Sequence, residues 1–372
     1  MLVTGATLVI ENLPPGSEFG IDLNVFTVGE KFKGIKMIPP GVHFIYFSSC
    51  SDYDHKSLAP RSGFFKQFHE REVCVRRWDR GNEDIENKDA SAEEVDRYRC
   101  NLMGSLDQFL VPYDFSSYEK WSGLSDYITM EVIDRLNPPN GRIRSVPELI
   151  PQSFSSSARC RRKREEEIEL PSASSPLTSD QLDRLLPQMK TEPSSAIQFS
   201  EIGKSRTPAG CSAADVTKYS LDSSHLLQSL IYQVTANTES VLGEVQFAFA
   251  CFLIGHVYDA FSHWKDMIRL ICTANQALQK HDTFFLNFIR VLHFQVQEVP
   301  ADLFVDIVNS NNFLLLTLRD FFFNLENNES VSENLRRRGI RFRTSLEKKF
   351  KWDFSVENSD DDEAPVILQL DE

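Results

Sequence analysis

Side chains able to do chemistry are sparse in this sequence, and their spacing decides what each group offers. His256, Asp259 and His263 stand at i, i+3 and i+7. On a helix that spacing places all three on one face, where two imidazoles and a carboxylate could meet a metal ion. A fourth ligand is not indicated nearby, so the competing reading is a polar helix face. His69-Glu70 and the carboxylates from Asp79 to Glu86 lack the partner spacing that marks acid/base work. There is no phosphate loop, no dinucleotide fingerprint, no H-E-x-x-H and no G-x-S-x-G. The expectation is therefore no catalytic residue, no metal and no cofactor. A hydrolase or metalloenzyme using His256, Asp259 and His263 stands as the minor alternative.

Charge and apolar pattern say more. Arg159-Cys-Arg-Arg-Lys-Arg164, followed by Glu165-Glu-Glu167, reads either as a nuclear import signal or as a solvated linker whose charges cancel. A second basic stretch covers Arg336, Arg337, Arg338, Arg341, Arg343, Lys348, Lys349 and Lys351. Leu335, Phe342, Leu346 and Phe350 form its apolar stripe, so it reads as the exposed face of a last helix, with nucleic-acid contact the lesser reading. At the C-terminus, Asp360-Asp-Asp-Glu363 precedes Pro365-Val-Ile-Leu-Gln-Leu370. Such a segment either adds as a strand to the sheet edge of a partner or folds back on the chain's own sheet. Val366, Ile367, Leu368, Gln369 and Leu370 are the candidate partner-binding residues. Residues 351–372 carry eight acidic and one basic side chain, −7 in all, so in the free protein the tail could lie on the basic helix. Phosphorylation at Ser355 or Ser359 would shift that balance.

The elements that must carry these residues follow from length and pattern. At roughly 100–200 residues per domain, 372 residues suggest two domains. With 41% hydrophobic and 25% charged residues the composition is globular, and the net charge of −14 argues against a dedicated nucleic-acid binder. The first ten residues lack a signal-peptide pattern, and the longest apolar run, Phe247 to Ile254, is short of the roughly 20 residues of a membrane helix. Seven scattered cysteines without C-x-x-C read as reduced thiols of the cytosol or nucleus.

Short strands are expected at 7–12, 17–22, 26–28, 34–38, 42–47, 63–68 and 72–78, as an antiparallel sandwich or barrel. Helical period then takes over, with a capping box at Ser91-x-x-Glu94 and a second helix over 118–136. Further helices are expected over 213–219, 223–234, 239–254, 257–272, 275–297, 302–309, 313–325 and 332–351. The fold class is α+β with two domains: a β-rich, sandwich-like N-terminal domain over 1–152, with a returning strand at 197–202, and a helical domain over 208–355. A disordered linker spans 153–196, and residues 356–372 form the acidic tail.

Several runs read together resemble one family. They are Phe32-Lys-Gly-Ile-Lys-Met-Ile-Pro-Pro-Gly-Val-His-Phe44, Gly63-Phe-Phe-Lys-Gln-Phe68 and Leu242-Gly-Glu-Val-Gln-Phe-Ala-Phe-Ala-Cys-Phe-Leu253. Tyr258-Asp-Ala-Phe-Ser-His-Trp264, Glu298-Val-Pro-Ala-Asp-Leu-Phe-Val-Asp-Ile-Val308 and Lys348-Lys-Phe-Lys-Trp-Asp-Phe354 complete the set. The chain resembles the AAR-two splicing-factor family, assembly factors of the U-five small nuclear ribonucleoprotein (snRNP). The resemblance implies a helical domain similar to the VHS fold and a non-enzymatic protein, both cytoplasmic and nuclear. Its implied partner is the central spliceosomal scaffold protein, bound through RNase H-like and MPN-type domains, with premature helicase association blocked. It also implies that Pro365–Leu370 adds as a strand between those two domains. Neither a membrane nor direct nucleic-acid binding is expected. A helical-repeat adaptor unrelated to splicing is the alternative, suggested by Tyr258–Trp264 but unsupported by any 34-residue period.

Overall fold

The computed structural model describes residues 5–50, 57–88, 90–102, 104–151, 189–203, 219, 222–234, 237–299 and 312–354. They fall into two compact units: residues 1–199 with 246–263, and residues 200–245 with 264–372.

The first unit is built on strands β1 (Ala6–Glu11), β2 (Glu18–Ile21), β3 (Asn24–Thr27), β4 (Gly34–Ile38), β5 (Gly41–Ser48), β6 (Ser62–Phe68) and β7 (Val73–Asp79). Shorter strands β8 (Asp84–Ile85), β9 (Leu110–Pro112), β10 (Ile143–Arg144), β11 (Leu149–Pro151) and β12 (Met189–Thr191) complete the set. One sheet has the order β8-β7-β1-β4-β9, the second β10-β6-β5-β2-β3, and β11 pairs with β12 alone. The expected all-antiparallel arrangement is corrected: β1 pairs with β7, and β4 with β9, in parallel. Parallel neighbours need long crossovers, and the chain supplies them by building other strands, and in the second case helix α1 (Ala92–Leu102), before returning.

Two faces of the same strands explain the apolar sequence of β5 and β6. Side chains alternate along a strand, so Ile45, Phe47, Phe64 and Phe68 join Leu8, Ile10, Phe19 and Trp78 in a core shared by both sheets. Phe44, Tyr46 and Phe65 point the other way. They meet Trp121, Val132, Ile133 and Leu136, together with Phe247, Cys251 and Ala260 from the later segment of this unit. A strand buried on both faces has no polar alternation to show. Gly34, at the irregular β1–β4 register, has φ 134°, and a Cβ there would stand 1.9 Å from the Leu8 carbonyl oxygen.

Helix α1 begins with the expected capping box, Ser91 and Glu94 exchanging backbone-to-side-chain hydrogen bonds of 3.4 and 3.2 Å. The single helix expected over 118–136 is instead two, α2 (Tyr118–Ser125) and α3 (Met130–Leu136). Thr129 Oγ1 caps α3 by accepting from Val132 N–H. The break is held by fully buried Gln246, whose Oε1 accepts from Tyr127 N–H at 2.7 Å while Nε2 donates to Gly123 O and Asp126 Oδ1. No strand forms over the expected 197–202, of which only 197–199 belong to this unit. Gln198 N–H donates to Leu136 O, and Ile197 and Phe199 pack on the helix-side core.

Helices α4 (Ser224–Gln233), α5 (Thr238–Leu253), α6 (Tyr258–Cys272), α7 (Ala277–Lys280), α8 (Asp282–Gln297), α9 (Phe313–Asn327) and α10 (Glu333–Phe350) follow. The helix expected over 275–297 is interrupted at His281, which leaves helical geometry at φ −127°, ψ 47°. In the second unit the phenylalanines pack ring on ring, as Phe285 and Phe288 do on Phe321, and Phe322 on Phe342. Helix α10 buries Leu335, Gly339, Phe342, Leu346 and Phe350, starts on a Ser332 cap and ends at left-handed Lys351. That stripe is the helical periodicity read from the sequence. No described helix is long and apolar enough to cross a membrane. The chain is α+β with two domains.

Candidate partner-binding surfaces

Val366, Ile367, Leu368, Gln369 and Leu370 lie outside the described residues, as do Ser355, Ser359 and the basic run 159–164. The expected helices over 213–219 and 302–309 fall almost wholly outside them too.

The trio His256, Asp259 and His263 does not share a helix face. His256 has φ 57° and precedes α6, so the helical spacing fails at its first member. Its Nε2 accepts from Arg61 Nη1 at 3.2 Å, and the same nitrogen of Arg61 donates to Ile254 O at 2.7 Å, at the C-terminal end of α5. Arg61 also lies 4.6 Å over the Tyr46 ring. Asp259 is exposed, and the His263 ring stacks on Phe199 at 4.2 Å. Among the described residues no group of three His, Cys, Asp or Glu could hold a metal ion. Burial, and then the Arg61 cation, hold the His256 pKa below the ordinary 6.5. The neutral ring is thus the form that accepts from Arg61. An NMR titration is expected to find its midpoint below 6.5, and Arg61→Ala should raise it; an unchanged midpoint would refute this account. Because the unfolded chain takes up the proton first, the stabilising contribution is present above about 6.5. It is lost as pH falls from there through the folded value.

The polar cluster that spacing did not disclose is His43, Asp22 and Tyr113. Asp22 Oδ2 accepts from His43 Nδ1 at 2.6 Å and from Tyr113 OH at 2.8 Å, while Oδ1 accepts from Phe44 N–H at 3.0 Å. His43 Nε2 lies 2.9 Å from Pro39 O. Both ring nitrogens thus lie within hydrogen-bond distance of an oxygen. Burial first, and then the Asp22 carboxylate, push the Tyr113 pKa far up and keep its hydroxyl a donor. Asp22 and His43 are 0% and 1% exposed. Every atom the cluster presents is spent on a neighbour, and its work is to tie β2, β5 and the segment after β9 together. The signals were a histidine inside an apolar strand and an aspartate in a hairpin turn, and nothing in the sequence pairs them.

A second such network joins Arg142, nearly buried, to Asp84 Oδ1 at 3.0 Å and to Ile85 O, with Arg144 on Asp84 Oδ2 at 2.9 Å. It anchors β8 and β10.

In the second unit the arginines of α10 divide into two sets. Arg336 and Arg337 meet Glu333, and Arg343 meets Glu326 and Glu347 at 3.0 Å. Arg338 and Arg341 are exposed and have no ion pair among the described residues. They border a groove of about 340 Å³ between α8 and α10, with Ile289, His293, Phe294 and Phe342 also lining it. Burial, then Arg338 and Lys349, hold the His293 pKa below its ordinary value, which records a cationic surrounding. This surface was read in the sequence as one exposed helix face; α8 makes it a groove.

Comparison with known proteins covers both halves. Residues 4–138 match the family described as the AAR2 N-terminal domain, and residues 199–355 the AAR2 C-terminal repeat region. The human protein named "Protein AAR2 homolog" is 41% identical over 371 residues, 99% of this chain and 94% of its own length. Its Caenorhabditis elegans namesake is 34% identical over 360 residues, covering 96% and 97%. "A1 cistron-splicing factor AAR2" of Saccharomyces cerevisiae is 23% identical over 340 residues, covering 88% and 87%.

Proposed function

The chain belongs to the AAR2 family of pre-mRNA splicing factors, and from that premise we propose that it is a non-enzymatic assembly factor of the U-five snRNP. It binds the RNase H-like and MPN-type domains of the central spliceosomal scaffold protein and holds off the helicase until release, acting in both cytoplasm and nucleus. The observation that carries the reading is the near-full-length similarity to splicing-factor relatives, across both units in one order. The polar clusters support it, since His43–Asp22–Tyr113 and Arg142–Asp84 spend their groups within the fold. In this reading Pro365–Leu370 adds as a strand to the scaffold, with backbone hydrogen bonds giving affinity and alternate side chains giving specificity. Occupancy then does the work: a ligand that holds one face suppresses a competitor there until it leaves.

Purified chain mixed with a scaffold fragment containing both domains should co-elute from gel filtration as one complex. Separate elution at micromolar concentrations would contradict the proposal.

A further inference from the structure

The groove between α8 and α10 has an unspent charge and an apolar floor, and the last described residue lies two ring contacts from it. Helix α10 carries seven basic and two acidic side chains. Its acids and Glu326 are matched to Arg336, Arg337 and Arg343, and Lys349 donates to Val296 O and Gln297 O, which leaves Arg338, Arg341 and Lys348 exposed, the two arginines at the groove rim. Phe342 lines the groove, with the His293 ring 6.2 Å away. The last described residue, Phe354, has been brought back along α10 by the left-handed turn at Lys351. Its ring lies 5.0 Å from Phe322 and 6.0 Å from the Arg343 guanidinium, and Phe322 is 6.0 Å from Phe342. Two ring contacts thus separate the point of departure from the groove. Beyond it come 355–359, then the acidic run 360–363, then the apolar run 365–370. A chain covers up to about 3.3–3.6 Å per residue, so the acidic run can reach Arg338 and Arg341 without strain.

We propose that this groove is the docking site of the chain's own tail, with Asp360–Glu363 against Arg338 and Arg341 and the apolar residues that follow on the Phe342 floor. Acid followed by apolar residues is the order the surface asks for, rim charge beside apolar floor. A tether this short gives an effective concentration of about millimolar, so even weak docking keeps the tail occupied. Docking sequesters the residues proposed to pair with the scaffold, so a partner edge must compete for them. The inference stands on the groove and the tail alone and does not rest on the identity of the scaffold.

The test is a titration of a fluorescent peptide of residues 356–372 into the full chain carrying Asp360→Asn, Asp361→Asn, Asp362→Asn and Glu363→Gln, whose own tail no longer competes. The peptide should bind, and adding Arg338→Glu with Arg341→Glu should weaken it at least tenfold. A peptide with lysines at 360–363 should bind the charge-reversed chain better than the native peptide does. Wild-type chain should bind the native peptide several-fold more weakly than the neutralised chain, and should sediment as a monomer. No peptide binding, or binding indifferent to the two arginines, would overturn the proposal. So would a wild-type dimer dissolved by the arginine substitutions, or a single-stranded RNA oligomer that binds the groove in preference to the peptide. Both arginines are exposed, and Arg338→Gln with Arg341→Gln repeats the test if the melt of the Glu pair shifts.

Discussion

Truncation after Ala364 is expected to weaken binding to the scaffold's two domains by about two to three powers of ten, while leaving the melt of the protein unchanged. Five residues added to a sheet contribute hydrogen bonds of about 1 kcal/mol each. Val366, Ile367, Leu368 and Leu370 each bring about 1.5–3 kcal/mol of apolar burial. Ordering the backbone costs about 1–2 kcal/mol per residue and fixing each of the four apolar side chains about 0.5–1 kcal/mol more, which at mid-range leaves about 3–4 kcal/mol. At 1.4 kcal/mol per factor of ten, that difference is easily read by calorimetry. The strand period adds a finer expectation. Val366, Leu368 and Leu370 share one face, with Ile367 and Gln369 on the other. Leu368→Asp should therefore cost much more than Gln369→Asp. Equal binding by the truncated and full chains would retain the family and remove strand addition.

The second large effect concerns the fold. Asp22→Ala should destabilise the first unit by about 3–5 kcal/mol, since three buried polar groups lose their partner at about 1–3 kcal/mol each. It strands His43 Nδ1, the Tyr113 hydroxyl and the Phe44 N–H together, all of them buried. At about 2–4 °C per kcal/mol for a unit of this size, the first melting transition should fall by about 10 °C. Arg97→Ala, which breaks only an exposed 3.8 Å contact with Glu94, should stay within about 0.5 kcal/mol of wild type. If both variants melt alike, the network does not hold the sandwich.

What the residues disclosed and what they hid have physical causes. The first seven strands and α10 were legible because their patterns are local: short apolar, aromatic runs bounded by turn residues in 42–47 and 63–68, a stripe and a Ser332 cap in 332–351. The parallel pairing of β1 with β7 was not, because a strand records which face it buries and not which neighbour lies beside it. The break between α2 and α3 was missed for a similar reason. The group that satisfies Tyr127 N–H belongs to Gln246, far along the chain. His256 failed as a helix-face residue because a single backbone angle, φ 57°, removes it from the periodicity. For function, the acid-then-apolar tail was legible as a pattern, and the basic stripe of α10 likewise. Their relation was only half legible, because the groove that would receive the tail needs α8 beside α10, and no spacing reports that.

The sharpest measurement of the central proposal is a competition. Helicase subunit is titrated onto a scaffold fragment containing the RNase H-like and MPN-type domains, with and without this chain at saturating concentration. The account predicts that the helicase's apparent Kd rises in proportion to the chain's concentration over its own Kd, the signature of mutual exclusion. A ternary complex in which the helicase binds with unchanged affinity would contradict it.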